Sequence, residues 1–182
     1  MSDARHNITA QNTLRIFARR ELELWQGLVA PTTLNDVAAI FDLDMTRPFA
    51  GRLGREHLPA TGFAASAEGF PQGVRVWMMN DHVVLIDAID VELPGGLKSL
   101  LSVIGNPETK LDSYLGTFEI EGSEWVYCQS GLTLYINPEN GALLRVAVFA
   151  STTLTEYERD LQLDLKMVRL PAFSGRAKEK SL

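Results

Sequence analysis

A short phrase recurs three times along this chain: Ala30-Pro-Thr-Thr-Leu34, Leu93-Pro-Gly-Gly-Leu97 and Ala150-Ser-Thr-Thr-Leu154. Each copy is followed by a helix-like pattern, and a spacing of about 60 residues predicts two copies of one small unit. In the first unit Leu34, Val37, Ala38 and Phe41 fall at i, i+3, i+4 and i+7, with Thr32 or Thr33 placed to cap the helix. In the second, Leu97, Leu100, Leu101 and Ile104 repeat that spacing. Gly105-Asn106-Pro107 then ends the helix, because proline cannot continue it. The third copy has too few residues after it for another sheet, so it predicts a terminal capping helix.

Each helix is followed by a short polar segment ending in Leu-Gly (Leu53-Gly54, Leu115-Gly116) and then by strand patterns. In the second unit Thr117–Ile120, Glu124–Cys128, Leu132–Ile136 and Leu143–Phe149 are separated by turn chemistry, which predicts an antiparallel meander. In the first, Val74–Met79 and His82–Val91 flank an Asn80-Asp81 turn, while the Ala-, Gly- and Pro-rich stretch 55–72 reads as weak strand or loop. Residues 12–28 carry Leu14, Phe17, Leu24, Trp25 and Leu28 at helical spacing, although Glu21–Trp25 also alternates like a strand. Leu154, Tyr157, Leu161, Leu165 and Val168 share a helical face, with strand alternation from Leu161 as the competing pattern.

These patterns predict an α+β fold of two tandem helix-plus-antiparallel-sheet repeats with an N-terminal helix and a C-terminal capping helix. The expected divisions are 1–29 (helix and lead-in), 30–92 (first, diverged repeat), 93–150 (second repeat), 151–170 (capping helix) and 171–182 (mobile basic tail). With 182 residues, 46% of them hydrophobic, the chain is able to bury a substantial core. It carries no stretch approaching the roughly 18 apolar residues of a membrane span. No apolar leader follows Met1, and Cys128 is the only cysteine, so a cytoplasmic protein without disulfides or a multi-cysteine zinc site is expected.

Net charge is −6, but it is unevenly spread: +3 over residues 1–20, −13 over 21–165 and +4 over 166–182. An acidic body disfavours nucleic acid as the main ligand and favours a protein partner with a basic surface.

Catalytic patterns are sparse. Ile40–Thr46 contains Asp42-Leu43-Asp44-Met45-Thr46, which resembles the first motif of haloacid-dehalogenase-type phosphatases. That resemblance implies Asp42 as nucleophile, Asp44 as acid/base and a magnesium ion. The family also needs a parallel sheet, a downstream lysine and a later acidic pair, whereas Lys98 and Lys110 precede no such pair and the strands read as antiparallel. His6, His57 and His82 are isolated, so no metal and no cofactor are expected. Cys128 lies in a strand context, where a lone thiol is packing.

The aromatic residues are the better lead. Trp125 and Tyr127 lie two apart and share one strand face, Tyr135 lies on the next strand, and Trp77 takes the corresponding place in the first unit. Trp77, Trp125, Tyr127 and Tyr135 are therefore either core beneath the helices or an exposed platform for a partner, and tryptophan and tyrosine are favoured interface anchors.

The order of Leu97–Pro107, Leu115-Gly116, Glu124–Tyr127, Gly131–Ile136 and Gly141–Phe149, with Leu34–Phe41, Leu53-Gly54 and Gly73–Met79 as the weaker copy, resembles the β-lactamase-inhibitory-protein fold and the SmpA/OmlA-like lipoproteins. The likeness is one of layout over 30–150 and implies protein recognition by a concave sheet face. A second resemblance, over Val83–Leu101, is to type III secretion chaperones. The expectation is a non-catalytic protein-binding module, of the immunity-inhibitor or chaperone kind, using Trp77, Trp125, Tyr127 and Tyr135. The alternatives are the magnesium-dependent phosphatase and a structural subunit of a homo-oligomer.

Overall fold

The computed structural model describes residues 33–38, 41–67, 70–89, 91, 96–115 and 120–163. The expected N-terminal helix, the basic tail and His6 lie outside them. The chain runs through helix α1 (Leu34–Ala38), strands β1 (Asp42–Leu43), β2 (Phe49–Leu53), β3 (Leu58–Ala67), β4 (Phe70–Met79) and β5 (His82–Ile89), and helix α2 (Gly96–Ile104). Strands β6 (Thr109–Leu115), β7 (Ile120–Tyr127), β8 (Leu132–Ile136) and β9 (Leu143–Phe149) follow, then one turn of helix α3 (Leu154–Glu156) and a π-turn (Tyr157–Leu161).

All nine strands among the described residues belong to one antiparallel sheet in the order β1-β3-β4-β5-β9-β8-β7-β6, with β2 also paired to β3. Strands β2–β5 and β6–β9 run as successive meanders whose last members, β5 and β9, pair from Leu85↔Phe149 to Ile89↔Arg145. The expected α+β arrangement of two tandem helix-plus-sheet repeats is therefore replaced by a single, strand-dominated sheet. The α-helices among the described residues are only five, nine and three residues long. Of the predicted capping helix over 151–170, the described residues form one α-turn and a π-turn that ends at Leu161. Thr153 caps the α-turn in a reciprocal box with Glu156, but Gln162 N then bonds Tyr157 O, and Leu163 makes an isolated bridge to Leu53. No helix among the described residues is long and apolar enough to cross a membrane.

The sheet departs from the sequence pattern in two places. The segment 109–115, read as a polar connection, is the edge strand β6, and Glu121-Gly122, read as a turn, lies inside β7. The Ala- and Gly-rich stretch forms β3, because its small residues leave room for rings. A Cβ on Gly62 would stand 2.2 Å from the Phe49 ring, which meets Trp77 edge-on with centroids 5.2 Å apart. The Asn80-Asp81 turn has positive φ at both residues, the twist that a two-residue hairpin requires.

Alternation along the strands gives the sheet two apolar faces. Face A carries Val74, Val76, Ile86, Ala88, Leu132, Leu134, Val146 and Val148 beneath Leu34, Val37 and Phe41 of the α1 segment and Leu97, Leu100 and Ile104 of α2. Face B carries Trp77, Leu85, Val126, Tyr135, Ala147 and Phe149, against which Tyr157 and Leu163 of the C-terminal segment pack. Extra residue Val84, passed over where Trp77↔Leu85 gives way to Met78↔Val83, joins face B as a bulge.

The C-terminal segment is strapped back to the first meander. Gly54 N donates to Gln162 O (2.7 Å), Arg55 N to Glu158 O (2.8 Å), and the Arg55 guanidinium pairs with Glu158. Gly54 has φ +69°, and a Cβ there would lie 1.7 Å from Arg159 O. Gly54→Ala is expected to destabilise the protein by more than the ~1–2 kcal/mol of left-handed strain alone. Gly141→Ala, where φ is +70° but nothing stands within 4 Å, is expected to pay only that strain. Urea denaturation of the two variants checks the ranking.

Candidate functional site

Face B is largely apolar, and one chain of polar groups crosses its middle. Arg75 on β4 and Asp87 on β5 are direct cross-strand neighbours, with Arg75 6% exposed and Asp87 fully buried. Arg75 Nε donates to Asp87 Oδ2 at 3.1 Å, and Nη2 bonds the same oxygen. Trp77 Nε1 donates to the other oxygen, Oδ1, at 2.7 Å, and Arg145 Nε on β9 lies 3.6 Å from Oδ2. The Arg145 guanidinium also sits 5.9 Å from the Tyr135 ring centre, its cross-strand neighbour on β8.

Tyr135 in turn faces Glu124 on β7. Its hydroxyl contacts Glu124 Oε1 at 3.4 Å, Tyr157 OH donates to the same oxygen, and Gln162 Nε2 donates to Oε2 at 2.9 Å. Glu124 therefore joins the sheet to the C-terminal segment. Burial pushes its carboxyl above the ordinary value of 4.5, and hydrogen bonds from Tyr157, Gln162 and Tyr135 oppose that rise. Burial likewise raises the Tyr135 and Tyr157 hydroxyls well above 10.

With both carboxylates enclosed, this network acts as an internal brace. A base must reach the proton it removes, and Asp87 and Glu124 present no exposed oxygen to a substrate. Sequence patterning alone does not reveal the brace, because its members are scattered from position 75 to 162. The available signal is charge at inward positions of otherwise apolar strands: Arg75 between Val74 and Val76, Asp87 between Ile86 and Ala88.

Structure divides the four aromatic residues between the two faces. Trp77 and Tyr135 are buried in face B, where both serve the brace. Tyr127 is buried in face A and donates to Gly105 O at the end of α2 (3.1 Å), its hydroxyl pushed up to about 12 by burial. Trp125, also on face A, is half-buried. Its Nε1 donates to Ser123 Oγ (2.9 Å), and Lys110 Nζ lies 4.1 Å above its ring. One platform of four exposed rings is not formed.

The remaining candidates are placed as follows. Asp42 is exposed on β1, which runs antiparallel to β3, and Asp44 accepts from Thr46 N (3.0 Å) and Oγ1 (2.7 Å). Those bonds hold the Asp44 carboxyl below its usual range. The parallel sheet of the phosphatase pattern is absent among the described strands. His57 and His82 are exposed, and no cluster of three metal-ligating side chains occurs among the described residues. Cys128 is buried, and its thiol is pushed up to about 11, first by burial and then by Glu108 and Glu158. No family model, no curated protein and no solved structure matches this chain.

Two outcomes follow from the brace. Asp87→Ala strands buried Arg75 and is expected to cost about 3–5 kcal/mol in chemical denaturation. Folded Glu124 holds its proton more tightly than the unfolded chain does. Its contribution to stability is therefore full below pH 4.5 and is lost as pH rises through its raised folded value. Glu124→Gln keeps an acceptor for Tyr157 and is expected to flatten stability against pH above 4.5; an unchanged pH profile would refute this account of the carboxyl.

Proposed function

We propose that this chain is a non-catalytic binding module for another protein with a basic surface, of the immunity-inhibitor or chaperone kind, acting in the cytoplasm. Half-buried Trp125 is the observation that carries the reading. Of the four rings it is the one that is not fully buried, and Ser123 and Lys110 contact it. A rigid, partly exposed tryptophan supplies contact area at small entropic cost. Trp77, Tyr127 and Tyr135 then frame the sheet that presents it.

Charge supports the partner's character. Residues 21–165 carry an excess of 13 negative charges. The four ionic residues of the brace, Arg75, Asp87, Glu124 and Arg145, carry equal numbers of formal positive and negative charges, so that excess lies outside it. An acidic surface speeds encounter with a basic protein and makes that encounter salt-dependent. The lone reduced thiol of Cys128 suits a reducing compartment.

Affinity capture with the full chain, followed by calorimetry on the partner identified, tests the reading. Trp125→Ala is expected to weaken binding at least tenfold while the thermal melt stays cooperative. Equal affinity of the variant, or magnesium-dependent ester hydrolysis abolished by Asp42→Asn, would overturn it.

A further inference from the structure

Strand β6 closes one side of the sheet. Among the described residues it pairs only with β7, from Thr109↔Val126 to Leu115↔Ile120, so its outer row of N–H and C=O groups faces away from the sheet. We propose that this edge pairs with β6 of a second copy of the chain, antiparallel about a two-fold axis through Leu111. In that register residues placed symmetrically about 111 face one another. Lys110 of each copy meets Asp112 of the other, and the two Leu111 side chains meet at the axis.

Charge selects this register. Lys110 and Asp112 are both exposed and, two residues apart, stand on the same face. Sliding the strands by one pleat either way puts Lys110 opposite Lys110, or Asp112 opposite Asp112, and like charges directly opposite destabilise a ladder. A lone lysine on an edge strand discourages pairing. Lysine followed two residues later by aspartate turns that barrier into two complementary ion pairs, but only against an antiparallel copy of itself. Lys110 stands on the same face as Trp125, its cross-strand neighbour on β7, with its ammonium 4.1 Å over that ring, and turns outward across the edge to meet Asp112 of the second copy. Leu111 is half-buried on the opposite face and packs on the face B core, so the axis crosses a firm part of the edge.

Two seven-residue strands make a small interface, so the dimer is expected to dissociate on dilution. Sedimentation equilibrium of the full chain is expected to give twice the 20.2 kDa monomer mass at high concentration, with dissociation promoted by salt. Lys110→Asp and Asp112→Lys are each expected to sediment as monomers. An equimolar mixture of the two, and the double variant Lys110→Asp/Asp112→Lys, are expected to recover the dimer, because each restores opposite charges across the axis. A carbodiimide cross-link between Lys110 and Asp112 joining light and heavy isotope copies of wild-type chain tests the contact without any substitution. A wild-type monomer at all concentrations, single variants that stay dimeric, or a wild-type dimer lacking that inter-copy cross-link would each overturn the proposal.

Discussion

Pairing of β5 with β9 is the contact on which the rest of the molecule depends. Without it the chain is two separate meanders with β5 and β9 as open edges; with it, β5 and β9 join β4 and β8 as interior strands of one sheet. Helical segments cover one face of those strands and the C-terminal segment packs on the other, so neither face of an interior strand is solvated. Any charged residue on them must therefore find its partners inside. Asp87, at the middle of the β5–β9 ladder, does so with Arg75, Arg145 and Trp77.

Such a network is not a cheap source of stability. Removing an ion from water costs several kcal/mol even after relaxation, and apolar residues of similar volume are often as stable. Its geometry instead supplies specificity. Arg75 pairs across β4–β5, Arg145 reaches Asp87 across β5–β9, and Tyr135 and Glu124 pair across β8–β7. A register slip at any of these ladders would separate a buried charge from its counterpart and send the whole strand to the wrong face. Glu124 extends the same logic to the last described residues, because Tyr157 and Gln162 can reach its two oxygens only when the C-terminal segment crosses face B. The Gly54–Gln162 and Arg55–Glu158 backbone bonds then tie that crossing to the β2–β3 hairpin, so one strap links both meanders.

How much of this was legible in the sequence varies by element. Strands β8 and β9 coincide with runs whose apolar and turn residues bound them on both sides, and α2 stops where Gly105-Asn106-Pro107 predicts. Strands β3 and β6 were hidden for opposite reasons. β3 is rich in small residues because rings from β2 and β4 fill the space beside it, while β6 is an edge strand with little apolar surface to declare. The C-terminal helix pattern misled because Tyr157 and Leu163 are held by tertiary contacts, to Glu124 and Leu53, that override a helical period. The four aromatic residues read as one set because period two says which residues of a strand share a face but not how two strands are phased. Trp77 and Tyr135 lie opposite to Trp125 and Tyr127, and only the ladder registers reveal it.

Where the charges end up separates the two roles that charge plays here. Inside, two arginines and two carboxylates are consumed in holding register, which leaves them nothing to offer a ligand. At the rim, Lys110 and Asp112 border Trp125 on the one long strand that has no outer neighbour among the described residues. Edge strands are hazards unless something dictates what may pair with them, and the self-complementary Lys110-Leu111-Asp112 triplet is the instruction we propose. Both surfaces proposed for recognition therefore lie where the buried network stops: at the β6–β7 margin, whose shape the interior strands fix and whose chemistry they do not use.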